Sequence, residues 1–421
     1  MGKNVMFFDF KLSLKHSYHA LFKANHTNYA LKPKRILVLF IFYFFFPILE
    51  LFTWTGFFLD EIFFPNYKKQ NLKSPIFVIG NYRSGTTFLH RLLAIDYKQF
   101  TSMSGWEIII AASITQRKLL KFFGIIDRVM GNPILRTFDF LWGKYVQGEV
   151  NFHKLGVREP EEDESLFAHI WSGIIPWNLF PIMEKDRTPS FATFDKWFSE
   201  KEKSRVMTFY KLCLQRHVYY HGGKKIYLSK SPSFSGNVEA ILKTFPDAKF
   251  VYLIRSPLEV IPSSINLWSF KWRLTCDPKE EYPFKENLLK MIKYWYTHPW
   301  EVLKGLPPSQ VQFVHYDKFV RDPFNTVTSL YTEFGLKTSK IYLKRIEREI
   351  RLQNRNYRPK QNYPLHKMGL SKLWIWVTFQ DVFRKYQIES ARIHFSIKLN
   401  KRVNQPIIFT KTRTIRLGFL N

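Results

Sequence analysis

Cysteine is nearly missing from this chain: 421 residues hold two, Cys213 and Cys276. Two thiols exclude a disulfide framework, and neither has a metal-ligand neighbour at a useful spacing, so no metal site is expected. Such a chain suits a reducing compartment. No Gly/Ser-rich or Pro-rich linker and no internal repeat is present, so composition marks no domain boundary. Acidic residues are scarce beside basic ones, 34 Asp and Glu against 64 Lys and Arg, a net charge of +30. That balance implies attraction to something anionic: a bilayer, a nucleic acid or a charged substrate. The basic residues are spread along the chain without any nucleic-acid recognition motif, so no specific nucleic acid is expected as partner.

What is present begins with a hydrophobic content of 46%, 18% of residues being aromatic, enough for a large core. Within it, Ile76-Phe77-Val78-Ile79 runs into Gly80-Asn81-Tyr82-Arg83-Ser84-Gly85-Thr86-Thr87. The apolar run predicts a buried strand, and the spacing of Phe88, Leu89, Leu92 and Leu93 predicts a helix after the loop. Strand, glycine-bounded loop and helix start build an anion site from free backbone N–H groups and the helix dipole. The loop nearly matches the nucleotide-binding pattern G-x-x-x-x-G-K-[ST], but Thr86 stands where the lysine belongs. Arg83 is the cation of the loop instead, which points to an anion that needs no metal ion.

At these residues the chain resembles the sulfotransferases that use 3'-phosphoadenosine 5'-phosphosulfate (PAPS). The resemblance implies that Arg83, Ser84, Gly85, Thr86 and Thr87 hold the 5'-phosphosulfate. A second stretch, Phe250 to Arg255 followed by Ser263, resembles the family's 3'-phosphate motif and implies that role for Arg255 and Ser263. Ile226 to Pro232 resembles the strand-then-lysine element, which gives Lys230 the transferring group, and Val311 to Asp317 with Arg321-Asp322-Pro323 resembles a later strand and helix start. Ser256 departs from the Asp that many relatives carry after the arginine. The likeness covers roughly residues 60–370, with the broad microbial branch nearest and the tyrosylprotein sulfotransferases more distant. It implies an α/β fold: a P-loop-like, mostly parallel sheet flanked by helices.

Transfer of a sulfuryl group to a hydroxyl needs in-line positioning, preorganised cations and a base. Glu107 is the first choice as base, because the tyrosylprotein branch carries a glutamate at a similar distance from the loop arginine. Trp106 and Ile108 to Ile110 are expected to desolvate it and raise its proton affinity. Glu162, Asp163 and His169 are the next candidates. A nucleoside or sugar kinase is the alternative enzyme, disfavoured by Thr86, and a non-catalytic basic protein that binds membrane or nucleic acid is a third reading.

Ile36 to Leu59 is 24 residues with one charge, Glu50. It is long enough to cross a hydrocarbon core of about 30 Å, though Pro47 is expected to kink or break a helix there. Basic residues on both sides suit an interface-embedded segment as well as a span. The expected organisation is a basic tail over 1–35, a membrane segment with a transmembrane helix as one form over 36–59, the catalytic domain over 60–370, and a basic aromatic extension over 371–421. The protein is expected at a membrane with its catalytic domain in the cytoplasm, the lumenal side staying open. The expected acceptor is a hydroxylated compound, lipid-linked or carbohydrate.

Overall fold

In the computed structural model the described residues are 7–133, 136–137, 159–180, 190–355 and 363–388. Five strands form one parallel sheet: β1 (Ile76–Gly80), β2 (Phe100–Thr101), β3 (Ile226–Lys230), β4 (Lys249–Ile254) and β5 (Val311–His315), in the order β2-β3-β1-β4-β5. Successive side chains of a strand face opposite layers. Accordingly Ile76 and Val78 pack with Leu89, Leu92, Val251 and Leu253 on one side. Phe77 and Ile79 pack with Tyr210, Phe234 and Phe250 on the other. Both faces are covered by helices, which is why the strands read as unbroken apolar runs rather than alternating ones. The two-residue β2 carried too little pattern to be expected; the other four strands stand where the sequence placed them.

This order puts β1 in the middle, where the chain turns from building one half of the sheet to the other. Ligands bind such sheets at the carboxyl ends of strands beside that switch. The helix after the loop is α3 (Thr86–Ala94). A long helix runs Glu200–Tyr220 and ends before Gly222 and Gly223, both at positive φ.

Two helices precede the sheet, α1 (Phe10–Phe22) and α2 (Pro33–Phe63). Pro47 lies inside α2, and the helix runs through it without a break. The expected interruption is overridden by packing on either side of it: Phe42 and Phe46 lie against Trp171, and Glu50 pairs with His169 at 2.8 Å. Beyond β2 come α4 (Gly105–Ile109) and α5 (Ile114–Val129). The C-terminal extension begins as part of the core, with Ile375, Phe379, Val382 and Tyr386 buried against the sheet. Its remainder, 389–421, lies outside the described residues.

Candidate active site

The loop between β1 and α3 is built by backbone constraints. Gly80 has φ 145° and a Cβ there would lie 2.6 Å from the Leu253 carbonyl oxygen. Gly85 has φ 90°, and its Cβ would meet the Tyr316 ring at 2.8 Å. Between them Arg83 takes φ 66°, a left-handed conformation rare for a side chain of its size. Strain of this kind persists where the surroundings over-determine it. Here Arg255 Nη1 donates to the Arg83 carbonyl at 2.5 Å, and Arg83 Nε donates to Ser263 Oγ at 3.0 Å. The two cations and the serine, widely separated in sequence, therefore meet at one place. Arg255 is aimed by Glu259 at 2.7 Å and lies 4.1 Å from the Tyr316 ring centroid.

Among the described residues no side chain caps the first turn of α3, which leaves the amides at Thr86 and Thr87 facing the loop. Ser84 is fully buried, and its hydroxyl has no partner among the described residues. An orphaned hydroxyl beside uncapped amides and two guanidiniums fits a bound oxyanion. The sulfotransferase family matches residues 75–340 of this chain, a span holding the loop, β3, Arg255 and Ser263.

The chain belongs to the sulfotransferase family. The omega-hydroxy-beta-dihydromenaquinone-9 sulfotransferases Stf3 of Mycobacterium bovis and Mycobacterium tuberculosis are 26% identical to it over 284 residues. That match spans 65% of this chain and 65% of each relative's length. The solved STF1 sulfotransferase of M. tuberculosis superposes with a TM-score of 0.66, covering 88% of this chain and 92% of its own. The STF9 sulfotransferase of Mycobacterium avium gives 0.62, covering 79% and 82%. At 19% identity these two show the fold.

In this member of the family Lys230 ends β3 opposite Val78 of β1. Its side chain is 2% exposed and donates to Glu162 Oε1 at 3.0 Å. The acidic run Glu159-Pro160-Glu161-Glu162-Asp163-Glu164 divides its work. Asp163 accepts from Tyr210, Tyr227 and Ser229 at 2.6–2.9 Å, so its oxygens are used up inside the core. Glu164 accepts from the Ile174 amide at 2.9 Å, and burial pushes its pKa up to about 8. Glu161 is raised by burial too, against the opposing pull of Lys230. Glu162 is half-buried and is the member of the run that accepts the lysine's hydrogen bond.

Two further residues were not found by reading the sequence. Lys271 stands above Trp268 and Tyr82, 5.0 and 5.7 Å from their ring centroids. Burial lowers its pKa, while Glu162, Glu164 and Glu161 oppose that and Lys230 adds to it. It lies about two turns beyond Ser263 on the same helix, a spacing that the sequence offered as a signal. His90 is fully buried, bonded to Ser102 at 3.2 Å, and held to about 3 by burial and by Lys230. It is neutral and cannot add to the site's charge.

Glu107 is placed otherwise than its candidacy as base requires. Its carboxylate accepts from the backbone N–H and hydroxyl of Ser104, closing a capping box on α4. Its other oxygen faces Arg117 at 3.5 Å, His217 at 3.4 Å and His221 at 3.2 Å. Burial would raise its pKa, as expected, but the neighbouring His217 and Arg117 and the histidine hydrogen bonds outweigh it and hold the group well below the carboxylate range. A carboxylate so stabilised as an anion is a poor proton acceptor. The atoms offered by Glu107, His217 and His221 lie within 4.8 Å of one another, yet Arg117 already supplies the cation. His169, the other runner-up, pins Glu50 of α2 and the Ile108 carbonyl, each at 2.8 Å.

Proposed function

We propose that this sulfotransferase moves the sulfuryl group of PAPS to the hydroxyl of an amphipathic, lipid-linked acceptor at a membrane, without a metal ion. The observation that carries the reading is the meeting of Arg83, Arg255 and Ser263 around a loop that leaves Ser84 Oγ unpartnered. PAPS supplies the sulfuryl group. In this proposal Arg83 and the loop from Ser84 to Thr87 hold the 5' end, while Arg255 and Ser263 hold the 3'-phosphate. Lys230 and Arg83 provide the positive charge that a bound metal gives in phosphoryl transfer.

The proton acceptor in this reading is Glu162, not Glu107. It is the carboxylate paired with Lys230, so the base and the cation nearest the transferring group share one hydrogen bond. Lys271 lies in the same electrostatic neighbourhood as Glu162 and Lys230. Support for a lipid-linked acceptor comes from the relatives named for a hydroxylated menaquinone derivative and from α2, which is long and apolar enough to cross a membrane by length and composition. The catalytic domain is assigned to the cytoplasmic side in this proposal.

The test is to incubate full-length enzyme with isolated membranes and 35S-labelled PAPS, with and without a chelator, and to identify labelled product by mass. Chelator-resistant label in a lipid fraction is the expected outcome. Label found only in protein or in water-soluble product would overturn the acceptor class, and loss of label with chelator would overturn the metal-free route.

A further inference from the structure

The apolar helix α2 carries paired polar side chains along its inner face. Arg35 donates to the Leu179 carbonyl near its start. Glu50 pairs with His169 at 2.8 Å in its middle. Near its end Asp60 accepts from the Ile114 and Thr115 amides at 2.8 Å each and from Arg216 at 3.1 Å. Thirty-one residues at 1.5 Å each make a rod of about 46 Å, and it is fastened to the catalytic domain along its whole length.

The chain before α2 is fastened to that domain as well. The Asp9 amide donates to the Ile170 carbonyl at 3.1 Å. Lys32 donates to the Asp277 carbonyl at 3.0 Å, and Lys34, in the first turn of α2, pairs with the Asp277 carboxylate at 2.9 Å. Asn28 accepts from the amides of Lys279 and Glu280. Both ends of α2 therefore lie on the same body, and a span would have to pull these bonds apart.

The outer face is apolar and open. Phe40, Phe45, Leu51 and Phe58 of α2 are 60–72% exposed. Leu21 of α1 closes a groove of about 500 Å³ with Ile36, Phe40 and Phe44. At the other end α5 packs on α2 through Gly56, whose Cβ would meet Ser113 Oγ at 2.3 Å, and turns Phe122, Phe123 and Val129 outward, 51–83% exposed. Lysines stand among these side chains: Lys11 and Lys23 on and beside α1, Lys118 and Lys121 on α5, all exposed.

We infer that α1, α2 and α5 form one monotopic platform that lies in the plane of a bilayer, its apolar side chains in the acyl boundary and its lysines on anionic headgroups. The inference rests on the membrane attachment proposed above and fixes its form. A second copy of the chain is a poorer occupant, since two chains of +30 would meet lysine to lysine.

The experiment uses the full chain. Cys213 and Cys276 are both buried, so a membrane-impermeant maleimide reads single cysteines introduced by Lys11→Cys, before α2, and Lys201→Cys, after it. In sealed membrane vesicles both are expected to label from the same side; labelling from opposite sides would establish a span and overturn the platform. Purified protein is then floated with phosphatidylcholine vesicles, with or without phosphatidylglycerol. Tighter binding to the anionic vesicles is expected, weakened about tenfold or more by Phe122→Asp with Phe123→Asp. Equal binding to both compositions, no effect of that variant, or a dimer that it dissolves would each overturn the inference. Wild-type protein that floats with neither vesicle removes membrane attachment itself.

Discussion

Arg83 shows how much one residue's backbone reveals about a ligand. Its φ of 66° aims the side chain at Ser263 while its carbonyl takes the Arg255 guanidinium. Arg255→Ala is expected to weaken 3'-phosphoadenosine 5'-phosphate by about 2 kcal/mol or more, the loss of a charged hydrogen-bond partner. The analogue lacking the 3'-phosphate should change little in calorimetry; equal losses would leave Arg255 as a loop strut only. Glu162→Gln should keep donor binding and lower turnover about 100-fold. Glu107→Gln should do the reverse, melting earlier by about 3 kcal/mol of stability because Arg117 is left unpaired, with normal turnover in what remains folded. Glu164 carries a pH signature. Its folded pKa of about 8 lies above the ordinary 4.5, so the fold is favoured with the group protonated and loses stability as pH rises through that window. Glu164→Gln should therefore raise the melting temperature more at pH 8.5 than at pH 5, and an equal gain at both would refute the assignment.

At the scale of elements, legibility followed period and length. The strands β1, β3, β4 and β5 were readable because each is a run of consecutive apolar residues buried on both faces, and the loop because its glycines sit where φ is positive. Glu107 has apolar neighbours in sequence, while its neighbours in space, Arg117, His217 and His221, come from distant parts of the chain and could not be read from it. The polar staples of α2 were hidden for the same reason: Glu50 looks like a stray charge until His169 is brought to it. The joint between α2 and α5 can be probed with one substitution at two places. Gly56→Ala drives a Cβ into Ser113 and Gln116 and should destabilise by about 1–3 kcal/mol. Gly124→Ala, with nothing within 4 Å, should stabilise α5 by up to about 1 kcal/mol. Thermal unfolding in detergent reads both; the same sign for the two would mean the joint is loose.

For the molecule as a whole, the family and the sheet were legible, while the way α1 and α2 wrap the catalytic domain was not, because those contacts join residues far apart in the chain. The separations are large: Arg35 to Leu179 spans 144 positions, Glu50 to His169 spans 119, and Asp60 to Arg216 spans 156. This has a consequence for biogenesis. At about 5–20 residues per second, α2 leaves the ribosome many seconds before the carbonyl, imidazole and guanidinium that neutralise its inner face exist. The nascent helix therefore spends that time with Glu50 and Asp60 unmatched, on a segment apolar enough to be drawn toward lipid or a holding chaperone. Stalled chains ending before Leu179 should be protease-sensitive and chaperone-bound, and chains that have exposed Arg216 should begin to resist protease; the order of synthesis, not only the final fold, decides whether this helix docks or inserts.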